Sequence, residues 1–244
     1  MKTRASFTRF YPLAPIIRHK PENMVEIRMA QHAEKRMLAF VTPMLKMLQE
    51  EGEGLRVLDA GCGDGSKSEL IIRLGNEVWG IDKNSEALSE AEKRGVKVLQ
   101  GDLEKDLPFR SGFFDGVWCS SVLEHVFHTC RFLKECHRVL KPKGFLIVNA
   151  NNIASLSNRL RLFFGFYPKW VAPSENYPRF ASHVRVFTKP VFQEALTSAG
   201  FKVEKITADL VCFNPGWFTN PPWSESLGKI LPSLGEVLII KARK

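Results

Sequence analysis

The run V-L-D-A-G-C-G-D-G at residues 57–65 constrains this chain more than any other segment. An apolar strand closes on an acid, Asp59, and glycines then stand at alternate positions, Gly61, Gly63 and Gly65. Glycine is required where φ turns positive or where a neighbour must come closer than a Cβ allows, so the chain here reverses sharply with bare backbone exposed. Such a turn at the carboxyl end of a strand makes a small-molecule pocket. The spacing is G-x-G-x-G, not the G-x-G-x-x-G that aims a helix N-terminus at a pyrophosphate, and an acid two residues ahead of the first glycine repels a phosphate. It suits a ligand that carries a cationic amino group and hydroxyls.

Two further acids follow in step. Asp82 ends the apolar run E-V-W-G-I-D-K, residues 77–83, and Asp102 closes V-K-V-L-Q-G-D. In open α/β sheets an acid at the tip of the second strand hydrogen-bonds ribose hydroxyls, because one carboxylate can accept from both.

These residues resemble the class I S-adenosylmethionine-dependent methyltransferases over roughly residues 50 to 244. D-A-G-C-G-D-G is similar to the family's glycine-rich first motif, Asp82 to its ribose acid and G-D-L at 101–103 to the segment that holds adenine. F-D-G-V-W-C-S-S-V-L-E-H-V, residues 114–126, resembles its fourth strand, and L-K-P-K-G-F-L-I-V-N, residues 140–149, the turn into its fifth. Five motifs in the right order are strong, because each must fall at a strand end for the sheet to be buildable. The resemblance implies S-adenosyl-L-methionine as cofactor, contacted by Asp59, Gly61, Cys62, Gly63, Gly65, Asp82, Lys83, Asp102, Leu103 and Ser120. A dehydrogenase is the fold-level rival, but its glycine spacing differs and the fourth-strand motif has no role there.

Short apolar runs bounded by Gly, Asp and Pro predict strands near 55–61, 77–82, 96–101, 114–120, 144–150, 202–208 and 235–242. Residues 84–94 predict a helix from an Asn cap to a terminal basic pair before Gly95. Residues 130–140 place Phe132, Leu133, Cys136, Val139 and Leu140 on one helical face, and Thr188-Lys189-Pro190 opens a helix that Gly200 ends. Between the last two strands only the Pro- and aromatic-rich residues 210–234 are expected, with no helix. The expected fold is α/β, a Rossmann-like seven-stranded, mostly parallel sheet with helices on both faces and an antiparallel last strand. The cofactor is expected across the carboxyl ends of the first four strands, at the switch in strand order.

A chain of 244 residues with 44% apolar content builds one well-buried α/β domain. Apolar stretches break well short of the roughly 20 residues that span a bilayer, and no apolar signal-peptide core opens the chain, so a cytoplasmic location is expected. Cys62, Cys119, Cys130, Cys136 and Cys212 form no C-x-x-C pair, which implies neither a disulfide framework nor a metal site.

Three segments lie outside the scaffold. Residues 1–50 form an extension expected to be helical and, by the resemblance, to cap the cofactor pocket; residues 51–244 form the methyltransferase domain, with substrate-side inserts 151–187 and 210–234. Basic residues outnumber acidic ones nine to four in 1–50 and six to one in 151–190, whereas 51–150 is near neutral. A positive entrance favours an anionic acceptor, although a merely solvated basic surface has the same composition. The insert interleaves that charge with aromatics, including Phe163, Phe164, Phe166, Tyr167, Trp170, Tyr177, Arg179 and Phe180. Such a mixture packs a lid, stacks bases or grips a lipid, and a short amphipathic helix over 153–166 also suits transient contact with a membrane surface. Trp217, Phe218 and Trp223 add an apolar rim.

Methyl transfer from a sulfonium needs alignment and the exclusion of water, and an oxygen or nitrogen acceptor also draws on a general base, for which His is best suited. The candidates are His125, just past the fourth strand, and His183, which comes back from the insert with Arg185; His19, His32, His128 and His137 carry no signal beyond position, and His32 with Arg36 could fold over the cofactor. A small-molecule acceptor is the expected partner. DNA is not expected, and RNA methylation is an alternative raised by the pI near 9.4. Base methylases place an Asn-Pro-Pro-aromatic motif at the end of the fourth strand, where this chain has C-S-S-V; Asn220-Pro221-Pro222-Trp223 lies about a hundred residues later. A non-catalytic cofactor-binding protein is the other alternative.

Overall fold

The computed structural model describes residues 24–171, 183–212 and 224–244, with side chains from Met37 onward except that of Glu225. The expected features at His19, Tyr177, Arg179, Phe180, Trp217, Phe218 and 220–223, and the side chains of His32 and Arg36, lie outside the described residues. By contact the chain divides into residues 1–36 and 37–244. Of the first unit, the described part is the opening turns of helix α1 (Met24–Gln49). The second unit holds the remainder of α1 and the whole sheet.

Strands and helices alternate along the first part of that unit, except that no helix separates β3 from β4: β1 (Arg56–Ala60), α2 (Ser66–Arg73), β2 (Glu77–Asp82), α3 (Ser85–Lys93), β3 (Lys97–Gln100), β4 (Phe114–Cys119), α4 (Thr129–Val139) and β5 (Leu140–Asn151). Then come α5 (Leu156–Phe163), α6 (Lys189–Ser198), β6 (Lys202–Ala208), α7 (Ser224–Ile230) and β7 (Val237–Arg243). The seven strands lie in the order β3-β2-β1-β4-β5-β7-β6. The first five are parallel, and β7 runs antiparallel to both β5 and β6. This is the expected doubly wound sheet, with its switch in strand order between β1 and β4.

Period-two alternation sends the side chains of one strand to two different cores. Leu58 and Ala60 of β1, Val117 and Cys119 of β4, and Leu146 and Val148 of β5 pack under α4 and α6, against Phe132, Leu133, Phe192 and Leu196. Val57, Trp118 and Ile147 face the other way, onto Met44, Met47 and Leu48 of α1, Ile71 of α2 and Ala91 of α3. Helix ends fall where the sequence sets them. Asn84 accepts hydrogen bonds from the Glu86 and Ala87 amides at 3.0 and 3.1 Å, which caps α3.

Two local expectations are corrected. The last two strands are separated by a helix, α7, and by a single 3-10 turn at Pro232–Leu234. Gly228 inside α7 argues against a helix on propensity, but the helix presses so closely on the end of β6 that a Cβ there would stand 2.5 Å from the Asp209 carbonyl oxygen. Tertiary approach outweighs propensity at this position. The fifth strand starts at Leu140 and not at 144: Leu140 already pairs with Phe114, and the chain then passes through Lys143 at φ 64° with a shift in register before Phe145 pairs with Gly116.

Candidate active site

The glycine turn after β1 and the tip of β2 form one hydrogen-bonded unit. Pairing of Asp59 with Gly80 and of Ala60 with Ile81 sets the register, and the Gly63 amide then donates to Asp82 Oδ2 at 3.0 Å. The Asn84 amide donates to Asp82 Oδ1 at 2.9 Å. Each carboxylate oxygen keeps a lone pair for a further donor. Gly63 sits at φ 53°, and a Cβ built on it meets nothing within 4 Å, so this bare backbone borders open space. Gly65 serves packing instead. At φ 75° it brings α2 so near α3 that a Cβ would lie 2.8 Å from Ala91 Cα.

Cys62 is placed beneath this turn. Its thiol is buried against Gly80, burial and the nearby acids push its pKa up, and its amide donates to the Ile81 carbonyl at 3.2 Å. Asp102 and Leu103 follow β3, whose Gln100 pairs with Asp82. The Asp102 carboxylate accepts from the Glu104 amide at 3.0 Å, and Leu103 packs half-buried on the core. Lys83 is exposed, and its carbonyl accepts from Gln100 Nε2 at 3.1 Å.

Asp59 is buried at the end of β1, where Ser68 Oγ donates to its Oδ2 at 2.6 Å. Desolvation raises its pKa to about 6, against the pull of Ser68 and of the nearby Lys67. Lys67, in the first turn of α2, reaches across to β4 and donates to Ser120 Oγ at 3.0 Å and to the Ser120 carbonyl at 3.3 Å. The Phe40 ring lies 5.5 Å from its ammonium, and burial lowers its pKa. An ammonium, a buried carboxylate and a serine therefore converge at the strand-order switch.

Beyond β4 the backbone passes through Ser121 at φ 58°, whose amide donates to Asn149 Oδ1 of β5 at 2.6 Å, into one 3-10 turn at Leu123–His125. This turn throws Glu124 inward and His125 outward. Glu124 is buried; its Oε1 accepts from Asn151 Nδ2 at 3.2 Å, while its Oε2 has no hydrogen-bond partner among the described residues, and burial raises its pKa. The Glu124 carbonyl accepts from the Val184 amide at 2.7 Å, which fixes the returning segment beside it. His183 consequently meets His125 edge to face, with ring centroids 4.8 Å apart. His183 Nδ1 lies 3.2 Å from the Trp170 carbonyl, and burial lowers its pKa, with His125 adding to the effect. One ligand atom from each of Glu124, His125 and His183 lies within 4.8 Å of the others, a set that can hold a cation or serve as a proton acceptor.

The structure thus gathers the acids and glycines read from the sequence at adjoining strand tips, and it brings together two histidines 58 residues apart. His128, bonded to Glu104 at 2.9 Å, and His137, packed on Phe201, face other partners. Lys67, Ser68 and Asn149 are site residues that the sequence reading passed over. The signal for the first two was in G-D-G-S-K-S, since a helix that starts on the glycine turn points its first-turn side chains at the same strand tips.

Residues 58–148 match the family model described as a methyltransferase domain. A ubiquinone biosynthesis O-methyltransferase from Xanthomonas axonopodis pv. citri is 32% identical over 167 residues, which cover 66% of this chain and 68% of that protein. The mitochondrial ubiquinone biosynthesis O-methyltransferase of Mus musculus is 31% identical over 71% of this chain, and the chain spans 47%, about half, of that relative's length. Among solved structures, an S-adenosylmethionine-dependent methyltransferase from Thermotoga maritima superimposes with a TM-score of 0.63 at 23% identity, over 89% of this chain and 97% of its own.

Proposed function

The chain belongs to the class I S-adenosylmethionine-dependent methyltransferases, and from that premise we infer that it methylates an oxygen or nitrogen of a small-molecule acceptor. The observation that carries the reading is the unit of bare Gly63 and amide-bonded Asp82, which fits an adenosyl ligand: open space over the glycine, and unused carboxylate lone pairs for two hydroxyls. When bound, the donor supplies a methyl group already activated by the positive charge on its sulfur.

The chain's own residues then bind, orient and handle a proton. Asp82 accepts the ribose hydroxyls, and Asp102 with Leu103 borders the base. Lys67, held at Ser120, meets the donor's carboxylate. Asp59 gives the ammonium and sulfonium end a negative wall, and a bound cation beside it draws its raised pKa back down.

Proton removal from the acceptor falls to the His125–His183 pair. His183 has its pKa lowered by burial, so at neutral pH it is an unprotonated imidazole ready to accept a proton. Arg185, whose guanidinium donates to the Phe127 carbonyl at 2.6 Å and lies 4.4 Å over the Phe127 ring, puts positive charge on the same returning segment as His183. That charge favours an anionic or electron-rich acceptor. The relatives named as O-methyltransferases support oxygen as the acceptor atom.

The test is calorimetry with S-adenosylhomocysteine and with NAD, followed by incubation of a metabolite extract with labelled donor. Binding of the former alone is expected, abolished by Asp82→Ala and weakened by Gly63→Val; unchanged affinity in both variants overturns the pocket assignment. Label appearing in RNA or protein, with none in small molecules, overturns the acceptor class.

A further inference from the structure

Helix α5 is turned the wrong way round for a surface helix in water. Its small polar side chains are inside: Ser157 and Asn158 are buried, as is Ser155 at its cap. Ser157 Oγ donates to Glu236, and Asn158 Oδ1 accepts from the Lys169 amide at 2.7 Å. Its apolar side chains are outside. Leu162, Phe163, Phe164, Phe166 and Tyr167 each expose half or more of their surface, and Phe163 exposes 82%. Single exposed apolar residues are ordinary, but five within six positions make a patch that calls for an occupant.

The patch is a built tip with a positive rim. The Gly165 amide donates to the Leu162 carbonyl at 3.0 Å and the Phe166 amide to the Arg161 carbonyl at 2.7 Å, closing the helix in a tight turn. Arg161 Nε donates to the Tyr167 carbonyl at 2.7 Å, which holds its guanidinium beside the aromatics, and Arg159 Nε donates to the Ala154 carbonyl at 2.7 Å, which holds a second exposed guanidinium at the start of the same helix. Neither meets a carboxylate among the described residues. Exposed apolar rings that share one short helix with two cations complement a fluid apolar layer under negative headgroups.

We propose that the α5 tip, Leu162 to Tyr167 with Arg159 and Arg161, seats this protein on an anionic lipid bilayer. The rings enter at headgroup depth, and the guanidinium groups pair with lipid phosphates. This goes beyond methyl transfer and does not depend on which acceptor is used. It has a geometric consequence, because α5 begins five residues after β5 ends at the carboxyl edge of the sheet, so docking brings the acceptor side toward the membrane.

The test is flotation of the full chain with vesicles of phosphatidylcholine alone and of phosphatidylcholine with phosphatidylglycerol. Binding to the anionic vesicles is expected, reduced by high salt and by Arg159→Gln/Arg161→Gln. It should fall about tenfold or more in Phe163→Ser/Phe164→Ser/Phe166→Ser, with thermal melting and S-adenosylhomocysteine affinity unchanged. Absence of binding to anionic vesicles, or undiminished binding by both variants, overturns the proposal. So does light scattering that shows a wild-type dimer, with no vesicle binding, which the triple variant turns into a monomer: the patch would then belong to a second copy.

Discussion

Lys67 Nζ stands 3.0 Å from Ser120 Oγ, so the first turn of α2 is tied to the tip of β4 across the switch in strand order. Burial disfavours the charge on this ammonium even with Asp59 and Glu124 nearby, and a donor's carboxylate bound to it would add a further compensating anion.

Lys67→Met is therefore expected to weaken S-adenosylhomocysteine about tenfold to a hundredfold, the range of one hydrogen bond to a charged group. The same variant should bind 5′-methylthioadenosine, which lacks the carboxylate, as the wild type does. Calorimetry with both ligands reads the difference, and equal losses for the two would mean that Lys67 supports the fold and not the carboxylate.

Asp59 carries a stability cost in the unliganded fold. Its folded pKa of about 6 lies above the ordinary aspartate value of 3.8, so the unliganded protein loses stability as pH rises from about 4 through about 6. Asp59→Asn removes that loss and should stabilise the unliganded protein by at most about 3 kcal/mol at pH 7, where the cost is fully developed. Denaturant melts of both proteins at pH 4 and pH 7 check this: the gap should be wide at pH 7 and narrow at pH 4. Donor affinity should fall in the variant.

The two histidines predict the acid limb of the rate. Because burial holds His183 below the ordinary imidazole range, methyl transfer should be flat through pH 7 and fall only as pH drops below about 6.5. His183→Asn should lower kcat and remove that limb while leaving S-adenosylhomocysteine affinity unchanged. His125→Asn tests which ring takes the proton, since only loss of the acceptor should abolish the pH dependence.

Far from these residues, Glu51 pairs with Lys241 and lies 2.8 Å from Arg243, tying the turn after α1 to β7. Hydrogen bonding from Arg243, with help from Lys241, holds the Glu51 pKa below the ordinary glutamate value, so this contribution is present at neutral pH and is lost as pH falls through the lowered value. Glu51→Ala leaves the buried Lys241 with only its longer contact to Glu50, at 3.6 Å, and should cost about 2 kcal/mol at pH 7, read by urea melts, with no effect on donor affinity.

The fold was legible because its signals are local. The strand tips at Asp59, Asp82 and Asp102 announce themselves by apolar runs ending in acids, and Asn84 marks a helix start by its side chain alone. The candidate site was legible where the turn after β1 needs backbone that favours glycine, as at Gly61, Gly63 and Gly65. The hidden parts depend on approach in space. Gly228 sits in α7 because β6 leaves no room for a Cβ, and the pairing of His125 with His183 is set by the Val184 amide bonding to Glu124, a contact between distant segments. The orientation of α5 was equally invisible, since the sequence shows an amphipathic helix but not which side of it faces in.

The place of β7 between β5 and β6 has a consequence for the order in which the molecule can be completed. It follows β6 in the chain, and among the described strands β6 touches the sheet only through it. During synthesis the first five strands can assemble as they leave the ribosome, with the ligand-facing tips already formed, while β6 and everything hung from it wait for Val237–Arg243 to slot in. Chains interrupted before that point would present two unsatisfied strand edges, open to sticky pairing with other chains.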